Sequence, residues 1–220
     1  MYSYVLFDLD GTLTDPKIGI TSCVQYALKA FGIDEPDLDK LEPFIGPPLK
    51  ESFMEFYGFD EEKALQAVDK YRERFVVTGI FENEIYPGIP ELLKRLKDAG
   101  CKLSIASSKP TELVERILVH FDIRRYFDYV VGSEMDGRRT KKEEVVEEAL
   151  NQMVPKGVDF KEVAMVGDRK FDIEGARAFG LTGIGVSFGY AQEGELEQAG
   201  ADYIVDTVEE LGRLLLGEGV

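Results

Sequence analysis

From Pro87 onward the chain alternates segments of helical periodicity with short apolar runs, and this alternation restricts the fold more than any other feature. Helices are expected near residues 89–99, 111–119, 142–152, 171–179, 193–198 and 208–216, and strands at 102–106, 128–131, 163–166, 183–186 and 202–205. Parallel neighbours need a long crossover, usually a helix, so a strand-helix alternation implies a doubly wound parallel sheet of the α/β class. Val5-Leu6-Phe7 adds a first strand, apolar throughout as a strand buried on both faces must be. Between it and its partners lies a different pattern. Ile20, Val24, Ala27, Leu28 and Phe31 recur at helical spacing, as do Leu49, Phe53, Met54 and Phe56, then Ala64, Leu65, Val68, Tyr71 and Phe75. Gly32, Pro36, Pro43, Gly46, Pro47, Pro48 and Gly58 divide this block into three or four helices with no strand. The expected organisation is a core domain over residues 1–15 and 86–220, with an inserted helical domain over 16–85 that would cap the carboxyl edge of the sheet.

A chain of 220 residues suits one core with a small insertion, and a formal charge of −16 repels nucleic acid and anionic membrane surfaces. The same field disfavours a phosphorylated metabolite at long range. A phosphate site in this protein therefore needs a local positive patch made of a metal, a lysine and backbone N–H groups. Cys23 and Cys101 read as two buried free thiols, with no second pair to suggest zinc. The N-terminal residues carry no basic region or apolar leader, and no apolar run approaches a membrane span, which makes a cytoplasmic location the default expectation.

Ligands of open α/β sheets bind outside the carboxyl ends of the strands, and four loops there carry the residue types a phosphate site needs. The first is Asp8-Leu9-Asp10-Gly11-Thr12. Asp10-Gly11 alone is a common turn dipeptide, but two carboxylates leaving an apolar strand suit a nucleophile beside an acid/base, with Gly11 offering an N–H to an anion. The second is Ser107-Ser108-Lys109-Pro110, where a hydroxyl and neighbouring N–H groups could hold phosphate oxygens as well as cap a helix. The third is the basic run Arg138-Arg139-Thr140-Lys141-Lys142, of which a single lysine would ordinarily be solvated. In the fourth, Asp168 follows Val163-Ala164-Met165-Val166-Gly167 and Asp172 lies one helical turn later. The pair suits magnesium, or else a helix cap and a first-turn acid.

In order and spacing, and along the whole chain, these loops resemble the four motifs of the haloacid dehalogenase superfamily. The resemblance implies a Rossmann-like core with an inserted α-helical cap, and Mg2+ as cofactor. By it Asp8 is the nucleophile and a metal ligand, and Asp10 is the acid/base with its backbone carbonyl on the metal. Gly11, Ser107 and Ser108 belong to the phosphate cradle, Lys142 or Lys141 is the lysine of the third motif, and Asp168 ligates the metal with Asp172 in support. Ser108 stands where many relatives carry Asn, and the usual Lys-Pro pair is missing at the lysine; Lys142 is preferred for its place before Glu144-Val145-Val146. The cap resembles that of phosphoglycolate phosphatases, β-phosphoglucomutases and some nucleotidases, with Gly46-Pro47-Pro48-Leu49 as its substrate-facing loop.

The expected activity is hydrolysis of a small phosphomonoester, phosphoglycolate-like or a 5′-nucleotide, through an aspartyl phosphate. The partner is then a small phosphorylated metabolite, without nucleic acid or membrane, for a monomer or homodimer. A mutase that returns the phosphoryl group to sugar is the first alternative. A non-catalytic module that merely holds phosphate on Asp8 is the second, disfavoured by Asp10 and by the inserted domain. His120 reads as a helix C-terminal residue, and the cap aromatics as mostly core.

Overall fold

In the computed structural model residues 1–218 are described, and they form two compact units, one of residues 1–14 with 85–218 and the other Asp15–Glu84. In chain order the elements are β1 (Tyr4–Phe7), β2 (Thr14–Asp15), α1 (Lys17–Ala30), α2 (Leu49–Tyr57), α3 (Glu61–Phe75), β3 (Glu84–Ile85), α4 (Ile89–Asp98), β4 (Lys102–Pro110) and α5 (Thr111–His120). They continue with β5 (Tyr129–Ser133), α6 (Lys142–Met153), β6 (Val163–Gly167), α7 (Lys170–Ala178), β7 (Thr182–Val186), α8 (Glu195–Ala199), β8 (Tyr203–Val205) and α9 (Val208–Leu216).

The larger unit is built on a six-stranded sheet in the order β5-β4-β1-β6-β7-β8, parallel throughout. This is the doubly wound α/β architecture expected from the alternation. β1 sits between β4 and β6, and Val5, Leu6 and Phe7 are fully buried, which is why this strand shows no polar alternation. The helices bury one stripe each: Ile89, Leu92, Leu93 and Leu96 in α4, and Val145, Val146, Ala149, Leu150 and Met153 in α6. Asp8, Ser107 and Asp168 all emerge at the carboxyl edge around β1, where connections to the two halves of the sheet part.

One local expectation needs correction. Ser107-Ser108-Lys109-Pro110 is no loop: β4 runs on to Pro110, with its register against β5 shifted between Ala106 and Pro110. Ala106 pairs with Val131 and Pro110 with Ser133, so four steps of β4 oppose two of β5. Such a bulge re-aims side chains that an even pleat would send to alternate faces.

The smaller unit, Asp15–Glu84, holds α1, α2, α3 and two 3₁₀ turns, Leu38–Phe44 and Gly79–Phe81. Asp60 caps α3 by accepting from the Lys63 N–H at 2.8 Å, and Gly58 ends α2 in the left-handed conformation. Phe44, Phe53, Tyr71 and Phe75 are core, as expected, but Met54, Phe56 and Leu65 are exposed although they stand at helical spacing. A small unit lacks the second covered face that would bury them. Cys23 and Cys101 are buried free thiols, and His120 closes the last turn of α5. Among the described residues no helix is long and apolar enough to cross a membrane.

Candidate active site

The sheet delivers Asp8 in register: its N–H donates to the Val166 carbonyl at 2.9 Å, one step past the last pair of β1 and β6. The chain then folds into a tight turn around the Leu9 carbonyl, which accepts from Leu13 at 2.9 Å and Thr14 at 3.1 Å. Asp8 and Asp10 are both left buried, at 4% and 7% exposure. The expectation that Gly11 lends its N–H to an anion is corrected here, because that N–H donates to the Thr14 carbonyl at 2.8 Å. What Gly11 supplies is room and a positive φ of 79°: a Cβ there would lie 2.0 Å from Asp168 Oδ2.

Of the two candidate lysines, Lys142 reaches the site and Lys141 is the exposed N-cap of α6. Lys142 lies 2.9 Å from Asp8 Oδ1 and 2.7 Å from Asp172 Oδ1, and donates to the Ala106 carbonyl at 3.1 Å. Its stem follows the apolar stripe of α6, shared with Val145, Val146 and Ala149, and crosses α7 where Gly175 leaves space. Burial draws the Lys142 ammonium down, yet Asp172 and Asp8 outweigh it and hold the group above the usual lysine range.

Asp168 is fully buried directly after β6. Its Oδ2 accepts from the Tyr190 N–H at 2.8 Å and its Oδ1 from the Thr12 hydroxyl at 3.4 Å. Asp172, in the first turn of α7, accepts from the Arg169 N–H at 3.0 Å through Oδ2, so it caps the helix with one oxygen and faces Lys142 with the other. The helix-cap reading of Asp172 holds, and its second oxygen is turned toward Lys142. Two glycines join Gly11 in admitting this packing, since a Cβ on Gly167 would lie 2.1 Å from Asp172 Cγ and one on Gly189 2.4 Å from Asp168 Cβ.

The bulge in β4 brings in a side chain that sequence reasoning left out. Lys109 Nζ donates to Asp10 Oδ2 at 2.5 Å, with both side chains under a tenth exposed. The signal was present, because Lys109 shares a four-residue segment with the candidate phosphate ligands, but in a segment read as a loop no strand pleat fixes which way its side chain points. Ser107 is buried and its hydroxyl accepts weakly from the Lys109 N–H at 3.4 Å, while the Ser108 carbonyl accepts from the Ser133 hydroxyl at 2.8 Å. Among the described residues neither serine hydroxyl bonds to Asp8, Lys142 or Asp168.

Asp8, Asp168 and Asp172 each offer an oxygen, and the three oxygens lie within 4.8 Å of one another. Three buried carboxylates thus face one ammonium, since Lys109 is engaged with Asp10. An all-oxygen donor set with surplus negative charge fits a hard divalent cation. The electrostatics agree: burial, then Asp172 and Asp8, push the Asp168 carboxyl well above its usual range, and burial with Asp8 raises Asp172 to about 6 despite Lys142. Burial likewise raises Asp10, against the pull of Lys109.

Groups raised in the folded state hold protons there that the unfolded chain has lost. The stability they lend is full below about pH 4, and is lost as pH rises through about 6 for Asp172 and further for Asp168. In EDTA, Tm is expected to fall as pH rises from 5 to 7.5. A divalent cation competes with those protons, so its stabilisation, about 2.7 kcal/mol at one hundred times Kd, should be larger at pH 7.5 than at pH 5. Thermal melts at the two pH values check this, and an equal or smaller cation effect at pH 7.5 would refute the charge assignment.

Comparison with known proteins gives a consistent result. Residues 5–186 match the family described as haloacid dehalogenase-like hydrolase. A 5′-nucleotidase of Pseudomonas aeruginosa is 51% identical over 195 residues, covering 89% of this chain and 87% of that protein. Tyrosine-protein kinase PtkA of Mycobacterium tuberculosis is 35% identical over 213 residues, covering 96% of this chain and 72% of that one. Among solved structures, one from Clostridium acetobutylicum described as a predicted phosphatase superposes with a TM-score of 0.94 at 48% identity, covering 99% of both chains.

Proposed function

The chain belongs to the haloacid dehalogenase-like hydrolase family, and from that premise we propose that it is a magnesium-dependent phosphomonoesterase acting on small phosphorylated metabolites, in the first place nucleoside 5′-monophosphates. The observation that carries the reading is the Lys142 ammonium clamped between Asp8 and Asp172 at 2.9 and 2.7 Å, beside the separate Asp10–Lys109 pair. Two carboxylates two residues apart are thereby given different surroundings, which is how one site supports two roles. The 5′-nucleotidase of P. aeruginosa supports the choice of substrate class. A cytoplasmic location and a monomeric or homodimeric state belong to the same proposal.

In this reading Asp8 attacks phosphorus in line. The bond from phosphorus to the ester oxygen breaks, and the departing alkoxide takes a proton from the Asp10 carboxyl. Water then attacks the aspartyl phosphate and gives a proton to the Asp10 carboxylate; the bond between phosphorus and the Asp8 oxygen breaks, returning Asp8 and releasing inorganic phosphate. Lys142 offsets charge on the nucleophile and the phosphoryl oxygens throughout. Gly11, Thr12, Leu13 and Thr14 spend their N–H groups closing the turn, so the backbone donors of this loop assigned to the phosphate are those of Leu9 and Asp10, with the Ser107 hydroxyl opposite. Asp8, Asp168 and the Asp10 carbonyl would hold magnesium, which when bound supplies a positive centre for the phosphoryl oxygens and lowers repulsion toward the Asp8 carboxylate.

Phosphate release from a panel of nucleoside 5′-monophosphates, phosphoglycolate and hexose phosphates, with magnesium and with EDTA, tests the proposal. Magnesium-dependent release with nucleotides at the head of the panel is expected. Activity undiminished by EDTA would overturn the metal assignment, and preference for another ester would overturn the substrate class. Interconversion of hexose phosphates without release would make the protein a mutase.

A further inference from the structure

The Asp10 carboxyl is held from one side only. Its Oδ2 accepts from Lys109 Nζ at 2.5 Å, whereas its Oδ1 is buried and has no hydrogen-bond partner among the described residues. A buried unpartnered carboxyl oxygen is costly, and native structures keep few of them without a reason. Lys109 lies in the stretch of β4 where the register shifts, between Ala106 and Pro110. The second lysine of the site, Lys142, is occupied with Asp8, Asp172 and the Ala106 carbonyl, so the Asp10 contact is made by Lys109.

We propose that Lys109 is a positioning residue for proton transfer: by tying down Asp10 Oδ2 it presents Oδ1 as the oxygen that carries the proton to the departing alcohol. This rests on the reading of Asp10 as acid/base given above. A carboxyl free to rotate about its terminal bond would divide its time between orientations, and a fixed donor removes that freedom before substrate arrives. The proton leaves from Oδ1, the ester oxygen receives it, and Lys109 keeps its own protons. Lys109 therefore contributes in proportion to how much the departing group needs protonation. An alkoxide leaving from a nucleoside 5′-monophosphate needs it; 4-nitrophenolate, a stable anion, does not.

The test compares kcat/KM for these two esters, since kcat/KM reports only the steps up to departure of the alcohol and is blind to later hydrolysis of the aspartyl phosphate. In Lys109→Met the ratio of kcat/KM for the nucleotide to that for 4-nitrophenyl phosphate is expected to fall about 10²-fold, at the lower end of what general acid catalysis supplies. An unchanged ratio, with both esters losing equally, would make Lys109 a phosphate-binding or purely structural group and overturn the proposal. Because Lys109→Met leaves the Asp10 carboxylate without its cation, folding is secured by a second comparison in the Asp10→Asn background. There Lys109→Met should lower the ratio no further; an additional loss as large as in the wild-type background would also overturn it. Failure of the parent reading is separate, since it would show as an unchanged ratio in Asp10→Asn with Lys109 intact.

Discussion

Replacing Asp8 by Asn is expected to reduce phosphate release by about 10⁴-fold or more while leaving the protein folded. The two side chains have nearly the same shape, and Asp8 stands where three carboxylates share one ammonium, so the change removes a like charge from a crowded buried group. Lys142 keeps Asp172 at 2.7 Å as partner. Tm in EDTA should therefore hold or rise, opposite to the usual outcome of altering a buried polar residue. The amide cannot form the aspartyl phosphate, which leaves only positioning and electrostatics to act on the ester. Steady-state phosphate release and thermal melts on one preparation check both halves. Near-wild-type turnover would remove Asp8 from the chemistry, and a large loss of Tm would show that its charge is structural.

Lys142→Met should give the largest loss of stability of any single change in the site, about 3–5 kcal/mol, or on the order of 10 °C in Tm for a chain of this size. Methionine refills the apolar stem but leaves Asp8, Asp168 and Asp172 buried with no cation among them. The penalty should shrink when magnesium is added, since the metal takes over part of the neutralisation. It should also shrink in the double variant Lys142→Met/Asp172→Asn, in which one of the repelling carboxylates is gone. Activity should stay low in both variants, because neither restores a positive group beside the nucleophile. A Tm within a degree of wild type in EDTA would mean that these carboxylates are not charged together, and would undo the electrostatic argument for the metal.

The sheet was legible because its strands are buried on both faces and the helices between them on one, two patterns with different periods. Val5-Leu6-Phe7 and Val163-Ala164-Met165-Val166 could hardly be anything else. The carboxylates were legible because each follows such a run directly. Register was not. The bulge in β4 depends on how Ala106 and Pro110 pair with a strand more than twenty residues away, and local spacing says nothing about that, so Lys109 has no role in the sequence reading. The N–H of Gly11 was misjudged for a similar reason, since which turn closes around Leu9 is decided by hydrogen bonds and not by the dipeptide. Helical spacing also separates Lys142 from Lys141, because residue 142 continues the stripe 145, 146, 149 and 153 of α6. In the small unit the spacing of Met54, Phe56 and Leu65 suggested burial that a thin helical layer does not provide.

Asp168 is enclosed on three sides by Gly11, Gly189 and the Thr12 hydroxyl, and its neighbour Asp172 by Gly167. Apart from the Thr12 hydroxyl, these walls are bare main chain, and their dimensions are set by atoms every residue possesses. Variation at the glycines has no small steps available, since the least bulky replacement already puts a methyl group where a carboxylate oxygen or carbon sits. A survey of random substitutions across this chain should find positions that contribute no chemistry of their own as intolerant as the acids beside them. Divergence of substrate preference would then have to proceed through residues that project side chains into open space, while the chamber itself is inherited whole.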